Sequence, residues 1–96
     1  MNLEQFRASL NDAEPPAGLS LALQALWYAG KGDWHGAHEE AQRGGDRDSA
    51  WVHAHLHREE GDHGNAAYWY SRAGRTPSDA PLAEEWRQIA EALLAR

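Results

Sequence analysis

Two Gly-Asp pairs, Gly32-Asp33 and Gly61-Asp62, align the chain with itself at an offset of 29 residues. In that register Ser20 falls on Ser49, Ala25 on Ala54, Ala37 on Ala66, Arg43 on Arg72 and Gly45 on Gly74. These are the positions where a pair of packed helices needs particular side chains. Glycine takes the left-handed conformation that turns a chain sharply after a helix, and aspartate caps the exposed N–H groups of the helix that follows. Alanine lets two helix backbones approach closely. The repeat therefore predicts one helix–corner–helix unit used twice.

The flanking sequence follows the same grammar. Asn2 with Gln5 three residues on has capping-box spacing, and Leu3, Phe6 and Leu10 recur at helical intervals, which predicts a helix over about 2–11. Pro15-Pro16 break it. The helical period returns from Leu19 to Lys31, and a second helix capped by Asp33 is expected to run to about Arg43 before Gly44-Gly45. Ser49 is expected to cap a helix reaching about Glu60, and Asp62 another reaching about Ala73. A last helix is expected from Ser78 or Asp79, with Leu82, Trp86, Ile89 and Leu93 as its apolar stripe. The expected fold is all-α, a single domain over residues 1–96. Hairpin 1 spans about 19–44, hairpin 2 about 49–74, and a C-terminal capping helix about 79–95.

The corners Gly32-Asp33-Trp34 with Ala37, and Gly61-Asp62-His63 with Ala66, resemble those of tetratricopeptide-like (TPR-like) helical repeats. The resemblance implies two stacked helical hairpins of α-α superhelix type, a protein-binding architecture. It places the small position of the first helix on Ala25 and Ala54. Large interior positions fall on Leu21, Gln24 and Tyr28 in one unit and on Ala50, His53 and His57 in the other. The aromatic position of the second helix falls on Ala41 and Tyr70, and the closing alanine on Gly44 and Ala73. The repeat is shorter than the family's usual length of about 34 residues, and His and Gln stand where large apolar residues are usual. The stretch from Trp51 to Asp62, with Asn65-Ala66 and Tyr68 to Gly74, also resembles a group of small bacterial proteins of unassigned function.

Composition removes several function classes. Fifteen acidic against nine basic residues give a net charge of −6, which disfavours a sequence-independent grip on nucleic acid. The chain has no cysteine, so disulfides, thiol catalysis and the commonest zinc ligand sets are out. The apolar-leaning stretch Leu19–Gly30 is too short to span a bilayer, and no charged start leads into an apolar run, so a cytoplasmic setting without membrane contact is expected. No HExxH motif, nucleophile elbow or glycine-rich phosphate loop is present, so neither enzyme activity nor a cofactor is implied.

All six histidines lie between positions 35 and 63. His53, His55 and His57 alternate, and residues two apart on a helix point away from one another, so they are not a comb of three ligands. His53 and His57, four apart, share a face, as do His35 and His38. An imidazole pair at that spacing chelates zinc, nickel or copper, with Glu60 or His63 as a third donor. The competing reading has His53 and His57 filling the interior and bonded to Gln24, Tyr28 or Tyr70, as a polar network or the lining of a ligand pocket. Arg58, Arg72 and Trp69 are the candidate partner-binding residues, since Arg and Trp anchor interfaces. The leading functional expectation is a protein-interaction or self-assembly module that binds a protein partner or forms a homodimer. A metal- or small-ligand-binding protein centred on the His/Tyr cluster is the alternative.

Overall fold

A computed structural model describes all residues 1–96. It contains six helices and no strand: α1 Leu3–Ser9, α2 Leu21–Gly30, α3 Trp34–Arg43, α4 Arg47–Glu59, α5 His63–Ala73 and α6 Leu82–Leu94. No helix is long and apolar enough to cross a membrane.

The two Gly-Asp corners are built alike. Gly32 and Gly61 have φ of +79° and +82°. Their N–H groups donate to Ala29 and Arg58, while the Asp33 and Asp62 N–H groups donate to Tyr28 and His57 at 2.9 Å. This Schellman pattern satisfies carbonyls that a helix end leaves open, and it tolerates little but glycine at the turn. Asp33 and Asp62 then cap α3 and α5 through the N–H groups of Gly36 and Asn65. Each corner folds a helix back on its neighbour, so the most extensive packing in the molecule is α4 on α5 and α2 on α3. Ala25, Ala37, Ala54 and Ala66 are all buried at these contacts, as the repeat register requires.

Three boundaries differ from expectation. Asp46, not Ser49, caps α4, which starts at Arg47. Ser49 is buried inside the first turn with its hydroxyl unpartnered, and a side chain at Gly44 would collide with it. That collision explains why the first unit closes on Gly44 where the second has Ala73. α6 begins at Leu82 because Ser78 turns its hydroxyl onto the Ala80 N–H and Pro81 supplies no capping oxygen. α1 has its capping box but ends at Ser9, with three tighter turn bonds carrying the chain to Asp12. Lys31 extends across to hold that frayed end, its Nζ donating to the carbonyls of Leu10 and Asp12.

α4 is the central element, in contact with α2, α3, α5 and α6. Its residues Ser49 to His57 are buried without interruption. A helix buried all round is ordinarily apolar all round. This one carries a serine and three histidines in its buried run, and each polar group there must find a partner or stand as a cost.

Candidate functional site

Two of the α4 histidines face α3 and α5. His53 and His57 are one helical turn apart with their rings stacked at 4.9 Å. Trp69 of α5 lies flat on the far face of the His53 ring, centroids 3.8 Å apart. From α3, His38 approaches edge-on, its Nε2 3.0 Å from Nε2 of His53. Trp34, one turn before His38, stacks on its ring and donates its indole N–H to the Leu56 carbonyl. Two tryptophan planes thus enclose three imidazoles, and one ring nitrogen of each lies within 4.8 Å of the other two.

The protons of this cluster are constrained. Two facing Nε2 atoms can share only one hydrogen, so one ring of the His38–His53 pair donates and the other accepts. His53 is 2% exposed, and its Nδ1 has no hydrogen-bond partner in either tautomer. Burial, followed by repulsion from His38 and His57, pushes its pKa down to about 4. Burial also lowers that of His38, with His57 adding to the effect. Both rings are therefore neutral near pH 7, with lone pairs available to a cation. His57 donates from Nδ1 to Glu60 Oε1 at 2.6 Å, so in the neutral ring the lone pair is on Nε2. A carboxylate behind the remote nitrogen is how histidine ligands are usually oriented toward a metal. A tetrahedral zinc site has nitrogens roughly 3.3 Å apart, so small ring movements close this cluster onto an ion. Asp62 lies near His57 and Glu60, but both its oxygens are committed to Asn65 at the start of α5.

The third α4 histidine faces the other way, into a different polar centre. His55 Nδ1 lies 2.7 Å from Glu85 Oε1 on α6, and Arg58 donates to the same oxygen at 2.7 Å and to the Ala80 carbonyl at 2.6 Å. Tyr70 of α5 donates its hydroxyl to Glu85 Oε2. Burial pushes the Glu85 carboxyl up, but the hydrogen bonds from His55, Tyr70 and Arg58 outweigh it and hold the group below the usual carboxylate range. The same burial and carboxylate push the Tyr70 hydroxyl up, which keeps it a donor.

The structure divides the five residues expected to converge. His53 and His57 stay together. Tyr70 belongs to the Glu85 centre, Gln24 donates to the Leu19 carbonyl, and Tyr28 packs against the edge of Trp27. No hydrogen bond joins Gln24 or Tyr28 to either histidine. Of the expected partner residues, Arg58 is drawn inward by Glu85, while Arg72 lies exposed over the rings of Tyr68 and Trp69. His35 and His63 are exposed and outside the cluster. Helical spacing alone pairs His38 with His35, yet the neighbours of His38 lie on another helix. Adjacency groups Glu85 with Glu84 as a solvated face, yet Glu85 sits three residues after Leu82 and four before Ile89, on the apolar stripe, and is 1% exposed. That placement is the signal by which it could be found.

Compared with known proteins, the chain matches no family model, no curated sequence and no solved structure.

Proposed function

We propose that this chain is a binding protein for a divalent first-row transition ion, held by His38, His53 and His57 with Glu60 orienting His57. The observation that carries the reading is the convergence of three imidazoles between two tryptophan faces. Imidazole sets of this kind suit zinc, copper and nickel. The scaffold in this reading is a pair of stacked TPR-like hairpins, supported by the matching Gly-Asp corners and by the packing of α2 on α3 and of α4 on α5. The first pair supplies His38 and the second His53 and His57, so the ion would tie the two units together.

Equilibrium dialysis against zinc tests it. The wild type should retain one ion per chain, His35→Ala should behave identically, and His38→Ala and His57→Ala should each lose affinity by about 100-fold or more. Equal retention by the wild type and the His38→Ala/His57→Ala double variant would sink the proposal.

The outer face of α5 supports a second reading, as a surface for a protein partner or a second copy. Tyr68 is 52% exposed, and Arg72 covers it and donates to its hydroxyl at 2.9 Å. An exposed aromatic–arginine pair is the composition of an interface anchor. Sedimentation that stays monomeric at high concentration would remove the homodimer from this reading.

A further inference from the structure

Beside the ion site, on the opposite side of α4, lies a cleft of about 580 Å³ between the ends of α1 and α2 and the start of α6. Its walls are mostly apolar and include Leu10, Leu82 and Trp86, and Leu82 is left 37% exposed. The volume falls within the ordinary range for a small-molecule site. Trp86 is fixed in place, because its indole N–H donates to the Leu26 carbonyl at 2.9 Å and its ring stacks on Phe6.

His55 is the polar group at the bottom. It is 2% exposed, and its Nδ1 is held on Glu85, a carboxylate that already accepts from Arg58 and Tyr70. An ionised carboxylate takes only donors, so Nδ1 carries a hydrogen, and in the neutral ring the lone pair is on Nε2. Nε2 makes no hydrogen bond within the chain and, unlike Nδ1 of His53, is not closed off from the cleft. A single fixed acceptor at the base of an apolar slot is complementary to one kind of guest. At the mouth Arg7 and Glu59 carry opposite charges, so the rim has no net preference for an anion or a cation.

We propose that this cleft binds a neutral, apolar-bodied alcohol or phenol, whose hydroxyl donates to His55 Nε2 while its body lies on Trp86, Leu10 and Leu82. The Arg58–Glu85–Tyr70 network acts as the positioning device that keeps the imidazole in the accepting tautomer. The site is independent of the ion site, from which it is separated by the thickness of α4.

Two probes of nearly equal shape decide it: 4-ethylphenol and ethylbenzene, titrated into the wild type and into Ala83→Phe. Ala83 is an exposed wall residue, so the bulky substitution plugs the cleft without entering the core. The Trp86 indole and His55 imidazole NMR resonances are the readout. Both should move with 4-ethylphenol, which should bind about tenfold more tightly than ethylbenzene, the difference a satisfied hydrogen bond makes. Ala83→Phe should abolish both responses. Equal affinity for the two probes, or a 4-ethylphenol response that survives Ala83→Phe, would overturn the proposal.

Discussion

The two sides of α4 solve the same problem in opposite ways. Toward α6, a histidine, an arginine and a tyrosine are all aimed at one buried carboxylate. Toward α3 and α5, the buried histidines are aimed chiefly at one another, with an acid at only one edge and one nitrogen with nothing to bond. In the first arrangement the Glu85 carboxylate is fully accounted for by its protein partners, and only Nε2 of His55, at the cleft, is left over. In the second, a cation would take the place of the hydrogen shared by the Nε2 atoms of His38 and His53, with Nδ1 of His53 unbonded in either case. A buried polar group explained by its neighbours argues for structure, and one left unexplained argues for a ligand.

The largest effect should come from breaking the completed side. Glu85→Ala strands the Arg58 charge and leaves His55 and Tyr70 without an acceptor, which should cost about 3–5 kcal/mol of unfolding free energy in denaturant titration. His53→Phe on the other side removes an unsatisfied nitrogen and keeps an aromatic ring against Trp69. In metal-free buffer it should cost far less, and a loss equal to that of Glu85→Ala would erase the contrast.

Acid should separate the two sides. With a folded pKa of about 4, well below the ordinary histidine value near 6.5, His53 takes up a proton on unfolding anywhere between those limits. Its contribution is therefore fully present above about pH 6.5 and is lost as pH falls toward 4, by about 3 kcal/mol across that window. Glu85 differs in that its depressed folded pKa favours its charged form. Its contribution is present above the ordinary carboxylate range and disappears only at more acid pH. Unfolding titrations from pH 7.5 downward should show the upper step in the wild type and not in His53→Phe.

Zinc should act on one side only. At 100 times its dissociation constant it should stabilise the wild type by about 2.7 kcal/mol and leave His38→Ala unchanged. Glu85→Gln keeps all three ion ligands, so its zinc-induced stabilisation should match the wild type even though its baseline is lower. A zinc effect that vanished in Glu85→Gln would show that the two sides are not independent.

What the sequence discloses follows from which interactions are local. The Gly-Asp corners, their caps and the periodic stripes depend on residues within one or two turns, so the helices are readable. His53 and His57 are readable as a pair for the same reason. The third imidazole arrives from a helix whose rotation about α4 is a tertiary fact, and no spacing rule carries it. Glu85 is hidden by its neighbour Glu84, because a charged pair suggests a wet face while only one of the two lies off the stripe. Ser49 is easily mistaken for a cap because Asp46, three residues earlier, competes for the same role and wins it.

Ser49 offers the mildest test of the comparison. Its hydroxyl is buried and unpartnered like Nδ1 of His53, and it lies one helical turn before that ring, packed under Gly44. If every orphaned polar atom on this helix were there for a ligand, removing the hydroxyl would weaken zinc binding. Its position under Gly44 instead ties Ser49 to a close approach between backbones, which alanine satisfies equally well. Ser49→Ala should therefore leave zinc affinity unchanged and alter stability by no more than about 1 kcal/mol, with the gain in apolar fit offsetting the lost contacts of the oxygen. A tenfold loss of zinc affinity in this variant would mean that the ion site extends along α4 beyond the three histidines.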